Sequence, residues 1–102
     1  MLLSILAGSY NAQATGVCFR AHGATELACG ISRDALLDLG GYHQVGGSEE
    51  ALFQALGPQI ERLISAKFRA RRIDQNGEIW IGCADILLYG FEERMGALAK
   101  AG

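Results

Sequence analysis

The side chains best able to do chemistry in this chain are two histidines and three cysteines, and their spacing does not assemble a reactive set. Three residues separate Cys18 from His22, which is half of a zinc motif, but no second pair of ligands follows at a suitable spacing. Cys29 and His43 could act as nucleophile and base, yet the strand pattern directs Cys29 into the core, where a thiol is unreactive. The sequence therefore predicts no catalytic residue, no metal site and no cofactor, and an enzyme is the third of three alternatives.

The glycine-rich segment 41–48 resembles a phosphate-binding loop without meeting its requirements. It reads GYHQVGGS, close to GxxxxGK[ST], but Gly47 stands where the pattern needs a lysine that reaches the phosphates. Glu49 and Glu50 would also repel an anion at the start of the following helix. We expect a glycine connection followed by a helix cap at Ser48 instead.

Charge is distributed unevenly along the chain. The net charge of −2 over 102 residues argues against a general nucleic-acid binder. Residues 59–73 nevertheless hold five basic side chains against one acidic side chain, and the basic ones are Arg62, Lys67, Arg69, Arg71 and Arg72. Guanidinium groups bind phosphates through paired donors, so this segment is a candidate nucleic-acid contact. Basic residues near a helix end also offset the helix dipole, and this second explanation is favoured because no exposed aromatic residues alternate with them.

Two of these cations, Lys67 and Arg71, occupy unusual helical positions. At 100° per residue they fall on the apolar line formed by Ile60, Leu63 and Ile64. A cation on a core-facing line usually pairs with an acid, and the candidate acids are Asp34, Asp38 and Asp85. The spacing predicts either a structural ion pair or the basic wall of a groove for a partner.

Trp80 is the remaining candidate for a binding residue. It alternates with Ile79 and Ile81, so it belongs to the second face of its sheet, together with Cys18 and Arg20. Either a C-terminal helix covers it, or it marks an interface with a protein partner or a second copy of the chain.

A β-hairpin is the clearest element that must position these residues. Apolar residues alternate with a period of two over 15–21 and again over 26–31, with a turn between. A two-residue loop would place Cys18 opposite Cys29, but it would put the apolar sets of the two strands on opposite faces. Since burial fixes register, the loop should be odd in length, and Cys18 and Cys29 should face opposite ways without a disulfide.

Helical patterns follow the hairpin. Ser32 is placed to cap a short helix that Gly40 and Gly41 end. An apolar stripe then continues in phase across Gly57 and Pro58, which favours one kinked helix over 48–73, with a break at Gly57 as the alternative.

The C-terminal part of the pattern contains a strand over 78–84 and a final helix capped by Asp85. The predicted inner face of that helix is Leu87, Leu88, Phe91, Met95 and Leu98. The whole predicts a single α+β domain over 1–102, of order β-β-β-α-α-β-α. In it, a short N-terminal strand, the hairpin and the returning strand form a small, mainly antiparallel sheet packed on one long kinked helix.

The first 19 residues are uncharged but do not read as a membrane segment. Their apolar run covers only positions 2–7, too short for a spanning helix, and no Lys or Arg precedes Arg20 as a secretory signal requires. Three widely spaced cysteines favour free thiols in a reducing compartment. We therefore expect a cytoplasmic protein without a membrane partner.

Several short stretches resemble a bacterial family known as domain of unknown function 1488. They include Gly16-Val17-Cys18-Phe19, Cys29-Gly30-Ile31-Ser32, Ala66-Lys67-Phe68, Asn76-Gly77 and Ala84-Asp85. The resemblance covers 10–85, and it departs from the family at Pro58 and in a helical extension over 86–102. It implies a small cytosolic α+β protein and no particular activity.

Two functions remain in view from the sequence. The first is a small interaction or accessory protein that binds a protein partner or itself through the face carrying Trp80. The second is a nucleic-acid-associated protein that uses the basic segment 62–72. Salt separates them, because phosphate binding weakens steeply with ionic strength whereas an apolar interface changes little.

Overall fold

The protein folds as one mixed sheet with helices packed against it, and a computed structural model describes residues 3–89. The five strands are β1 (Ser4–Ile5), β2 (Asn11–Gln13), β3 (Gly16–His22), β4 (Glu26–Ser32) and β5 (Ile79–Ile81). Three helices precede β5, namely α1 (Arg33–Tyr42), α2 (Glu49–Ala55) and α3 (Gly57–Arg69), and α4 runs through residues 83–89. The α+β class and the mainly antiparallel sheet are confirmed, and the order is β-β-β-β-α-α-α-β-α.

The central hairpin has the predicted register. Val17 pairs with Ile31 and Phe19 pairs with Cys29, so the apolar sets of β3 and β4 share one face. The loop between the strands is the three-residue segment 23–25, because the ladder ends where His22 pairs with Glu26. Cys29 is buried in the core and Cys18 pairs with Gly30 on the other face, so no disulfide can join the two thiols.

The remaining strands lie on both sides of the hairpin. β1 and β2 lie end to end along the free edge of β3, both antiparallel to it, with Ile5 opposite Ala21 and Ala12 opposite Val17. β5 lies beside β4 in the parallel direction, with Ile79 opposite Cys29. β2 was not predicted, because its three residues are all exposed and show no apolar alternation.

The helices bury one face of the sheet. The core contains the odd-numbered apolar residues of the hairpin and of β5, packed against apolar side chains of all four helices. The ring of Phe53 on α2 lies 5.1 Å from that of Phe19 and 5.3 Å from that of Tyr10, at tilted angles that aromatic pairs prefer. The even-numbered side chains of β3 point to the other face, where they are half-buried or exposed.

The segment predicted as one kinked helix over 48–73 is two helices, so the alternative break at Gly57 is the correct one. Leu56 ends α2 with φ −98° and ψ 12°, and Pro58 lies in the first turn of α3, where its missing N–H leaves no bond unmade. The N–H of Leu56 still donates to Leu52 and that of Ile60 to Leu56. These two bonds span the junction between α2 and α3. The apolar stripe therefore keeps the same phase across the junction as it would in one continuous helix.

Helix α3 ends earlier than predicted, and this changes the position of Arg71. The N–H of Arg72 donates to the carbonyl of Lys67 and the N–H of Arg71 to that of Phe68, the paired bonds of a Schellman motif. Arg71 occupies the left-handed position of the motif with φ 59°, and it is exposed. The prediction that Arg71 lies on the core-facing line is therefore wrong.

Two other helix boundaries differ from the sequence prediction. Ser32 caps α1 as expected, by accepting from the N–H of Ala35, but the helix continues through both glycines to Tyr42. Helix α4 begins two residues before Asp85, and this rotates Ile86 and Tyr89 into the core.

The predicted inner face of α4 is corrected accordingly. Leu87 is 71% exposed and Leu88 is 45% exposed, so neither faces the core. Phe91, Met95 and Leu98, like the rest of the predicted extension from residue 90 onward, lie outside the described residues. Within 3–89, no helix is both long and apolar enough to cross a membrane.

Candidate functional site

Helix α3 is hydrogen-bonded to one edge of the sheet through two polar side chains. The Oγ of Ser65 accepts from the N–H of Leu3 at 2.8 Å, and Oε2 of Glu61 accepts from the N–H of Ile5 at 2.7 Å. Glu61 and Ser65 are four residues apart, so they lie on the same side of the helix. These bonds satisfy the N–H groups that β1 turns away from β3, and the edge of β1 is therefore closed to another strand.

The same helix reaches the opposite edge through Lys67. Its Nζ donates to the carbonyl of Trp80 in β5 at 2.5 Å and lies 2.9 Å from Oδ2 of Asp85. That carboxylate oxygen also accepts from the N–H of Gly82, directly before α4, at 2.8 Å. The predicted ion pair is confirmed with Asp85, whereas Asp34 and Asp38 are exposed on α1.

Glu61 and Ser65 are structural residues that the sequence interpretation missed. Ser65 is fully buried, and it follows Leu63 and Ile64 in the buried part of the helix. A hydroxyl in that setting must be hydrogen-bonded, and this was the one signal in the sequence that could have pointed to it.

The structure divides the basic segment into two parts. Lys67 is directed inward and held by Asp85, with only 16% of its side chain exposed. The four arginines are all exposed. Arg62 and Arg69 are seven residues apart on the same side of α3, and Arg71 and Arg72 follow the end of the helix. The exposed part of the basic segment therefore consists of the four arginines without the lysine.

Within residues 3–89, Trp80 lies on the sheet face opposite helices α1 to α4, in the same row as Cys18. The row runs across the sheet through the pairs Asn11–Cys18, Cys18–Gly30 and Gly30–Trp80. The indole covers Gly30, since a Cβ atom at Gly30 would lie only 2.6 Å from three atoms of the ring. The indole Nε1 donates to Oε1 of Glu78 at 3.2 Å, so the polar edge of the ring is satisfied.

A shallow depression of about 240 Å³ adjoins this row. Its lining includes Ser9, Asn11, Cys18, Arg20, Ala28 and Glu78. On its margin, Nε of Arg20 pairs with Oε1 of Glu26 at 2.7 Å. We name this surface the open sheet face, defined by Cys18, Arg20, Ala28, Gly30 and Trp80.

The thiols nearest to this face are not activated. Burial raises the pKa of Cys29 to about 11, and the pKa of Cys18 is raised by burial and, secondarily, by the negative charge of Glu78. Both thiols are therefore protonated at neutral pH, the form that does not attack an electrophile. Across residues 3–89, no three His, Cys, Asp or Glu side chains are grouped so that they could hold a metal ion.

The comparison with known proteins identifies the family. A family model described as a protein of unknown function, DUF1488, matches residues 6–81. The chain belongs to the DUF1488 family. The expected resemblance is confirmed, and the matched region begins four residues earlier and ends four residues earlier than the predicted 10–85.

A solved DUF1488 structure supports the fold. The crystal structure of a protein of unknown function from Shewanella loihica PV-4 superposes with a TM-score of 0.62 at 16% identity, covering 78% of this chain and 90% of that chain. No curated protein matches the chain. Membership of the DUF1488 family therefore supports the fold of the chain but assigns no activity to it.

The DUF1488 match includes Lys67 and Trp80 but not Asp85. The ion pair at Lys67 thus connects the family region to the segment that follows it, and the open sheet face lies entirely within the family region.

Proposed function

We propose that this DUF1488 protein is a small cytoplasmic binding protein without catalytic activity, and that it contacts a protein partner through the open sheet face. The observation that carries the proposal is the position of Trp80. Its ring lies flat against the backbone of Gly30, on the sheet face that faces away from the core. A tryptophan held in this way offers a large, rigid apolar surface, the kind of residue that contributes most to protein interfaces.

The surroundings of Trp80 support the same proposal. Cys18, Ala28 and Gly30 are small, so a partner can approach the sheet closely beside the indole. The charged pair of Arg20 and Glu26 lies at the margin rather than the centre. A small apolar centre with a polar rim is the usual anatomy of a protein interface.

Two further features bear on compartment and chemistry. The three cysteines are all free, which supports a reducing cytoplasm. The raised pKa values of Cys18 and Cys29 argue against a thiol-based reaction at this face.

The proposal is tested by capture of partners with a matched pair of variants. Ala28→Arg places a long cation on the open sheet face, whereas Ala24→Arg adds the same charge in the exposed hairpin loop. The tagged wild-type chain and both variants are used to capture proteins from a lysate of the cells that produce the protein, with nuclease present. We expect one protein to bind the wild type and Ala24→Arg, to withstand moderate salt, and to be lost with Ala28→Arg.

The nucleic-acid alternative gives a different result in the same experiment. Nucleic acid would then co-purify without nuclease, decline steeply with salt, and be lost in a double variant Arg69→Gln/Arg72→Gln. That result, or a partner bound equally well by Ala28→Arg and the wild type, would overturn the proposed role of the open sheet face.

A further inference from the structure

The sheet edges differ in how they are protected. Helix α3 covers the outer N–H groups of β1 with Ser65 and Glu61, and it covers the carbonyl of Trp80 in β5 with Lys67. The third edge segment, β2, has all three residues exposed. An unpaired edge strand is a template for another strand, so β2 is the edge segment at which a further strand could pair.

The hydrogen-bond pattern shows which groups of β2 point outward. The N–H of Arg33 donates to the carbonyl of Thr15, and that of Gly23 to Thr25, so odd-numbered residues of β3 bond to β4. The backbone N–H and carbonyl groups of the even-numbered residues of β3 therefore point to the opposite edge, toward β1 and β2. The N–H of Leu6 in fact donates to the carbonyl of Arg20.

This alternation fixes the orientation of Ala12. Asn11 pairs with Cys18 and Gln13 pairs with Gly16, so the backbone groups of Asn11 and Gln13 point toward β3. The N–H and the carbonyl of Ala12 point away from β3. No residue of the described chain bonds to these two groups.

We propose that two copies of this chain associate through antiparallel pairing of their β2 strands about a twofold axis at Ala12. The N–H of each Ala12 then donates to the carbonyl of Ala12 in the second copy, which gives two backbone bonds. Asn11 lies opposite Gln13 of the second copy, and their side-chain amides can bond to each other. The pairing is self-complementary, as a twofold interface requires.

The composition of the edge favours a second copy over a different partner. Asn11, Ala12 and Gln13 are uncharged, so two paired β2 strands place no like charges directly opposite each other. The amide side chains at positions 11 and 13 complement each other across the axis. The inference does not rest on the proposed function, because the open sheet face is a different surface.

A strand of three residues buries little surface, so the association should be weak. We expect the mean mass measured by analytical ultracentrifugation to rise from monomer toward dimer between about 10 µM and about 1 mM protein. Ala12→Pro removes the outward N–H and no bond to β3, and edge strands tolerate proline at such positions. This variant should remain monomeric over the same range while its far-ultraviolet circular dichroism stays that of the wild type.

Charge exchange tests the register directly. The variant Asn11→Lys/Gln13→Lys places lysines opposite each other across the axis, and Asn11→Glu/Gln13→Glu does the same with glutamates. Each should be monomeric alone at about 1 mM, and a mixture of the two should dimerise, because opposite charges then face each other at both positions.

Three results would overturn the proposal: a wild type that remains monomeric at about 1 mM, an Ala12→Pro variant that dimerises as well as the wild type, or a charge mixture that does not associate. A dimer that Ala28→Arg abolishes and Ala12→Pro preserves would assign self-association to the open sheet face instead.

Discussion

The ammonium nitrogen of Lys67 lies 2.9 Å from Oδ2 of Asp85, and the pair joins α3 to the first turn of α4. The side chains are only 16% and 15% exposed, so water and salt screen the pair weakly. The same ammonium donates to the carbonyl of Trp80 in β5. One cation therefore holds a helix, a strand edge and the start of a second helix together.

Removing the acid from this pair should destabilise the fold. Asp85→Asn leaves the ammonium of Lys67 largely buried without its counter-charge, and we expect the free energy of unfolding to fall by about 2 to 4 kcal/mol. Urea denaturation measures the change. Asp38→Asn removes the same charge from the exposed face of α1 and should change stability by less than about 0.5 kcal/mol. Equal effects of the two substitutions would contradict a structural role for the pair.

Arg71 holds a backbone conformation that favours glycine. Its φ of 59° is in the left-handed region, which is unfavourable for a residue with a Cβ atom. Arg71→Gly should therefore raise the free energy of unfolding by about 1 kcal/mol, as measured by thermal unfolding. Arg72→Gly removes an equal charge one residue later, where φ is not positive, and it should not stabilise the protein. A loss of stability in Arg71→Gly would show that the side chain makes a contact worth more than the strain.

The indole of Trp80 packs so closely on Gly30 that position 30 has no room for a side chain. A Cβ atom at this position would lie 2.6 Å from ring atoms of Trp80, so Gly30→Ala must displace the ring. Because Trp80 is the only tryptophan, its fluorescence reports the displacement, and we expect a red-shifted emission and a loss of about 1 to 3 kcal/mol. Gly41→Ala meets no atom within 4 Å and should leave the emission unchanged.

The buried thiol of Cys29 makes stability depend on alkaline pH. Its pKa is raised by burial from 9.0 to about 11, so between these values the unfolded chain loses the proton and the folded chain keeps it. Deprotonation then favours unfolding, and stability falls as the pH rises. From pH 8 to pH 10 the contribution of this group is a loss of about 1 kcal/mol. Cys29→Ala should remove that part of the pH dependence, and an unchanged slope of stability against pH would show that Cys29 is not its source.

Prediction from the sequence was most accurate where burial requires apolar residues to recur with a fixed period. The alternation around Val17, Phe19 and Ile31 allowed one register, and the structure has it. The helical line placed Lys67 toward the core, but three acids could serve as its partner. Only the folded chain brings Asp85, 18 residues away, against its ammonium.

Prediction from the sequence failed at helix boundaries and at the polar, uncharged edge strand β2. Leu56 interrupts the helix with angles close enough to helical values that the apolar stripe continues in phase across the break. The start of α4 at residue 83 rotates Ile86 into the core in place of Leu87. Asn11–Gln13 has no apolar period, since all three residues are exposed.

The parallel position of β5 has a consequence for the synthesis of the protein. Cys29 pairs with Ile79, fifty positions later in the chain, and contacts so distant in sequence form late in folding. The hairpin and the helices α1 to α3 leave the ribosome before the strand that completes the sheet. During that interval the nascent chain presents an unpaired β4 edge, the kind of surface through which incomplete chains aggregate. We therefore expect the need for chaperones to be greatest before Ile79 emerges and to end once β5 has docked.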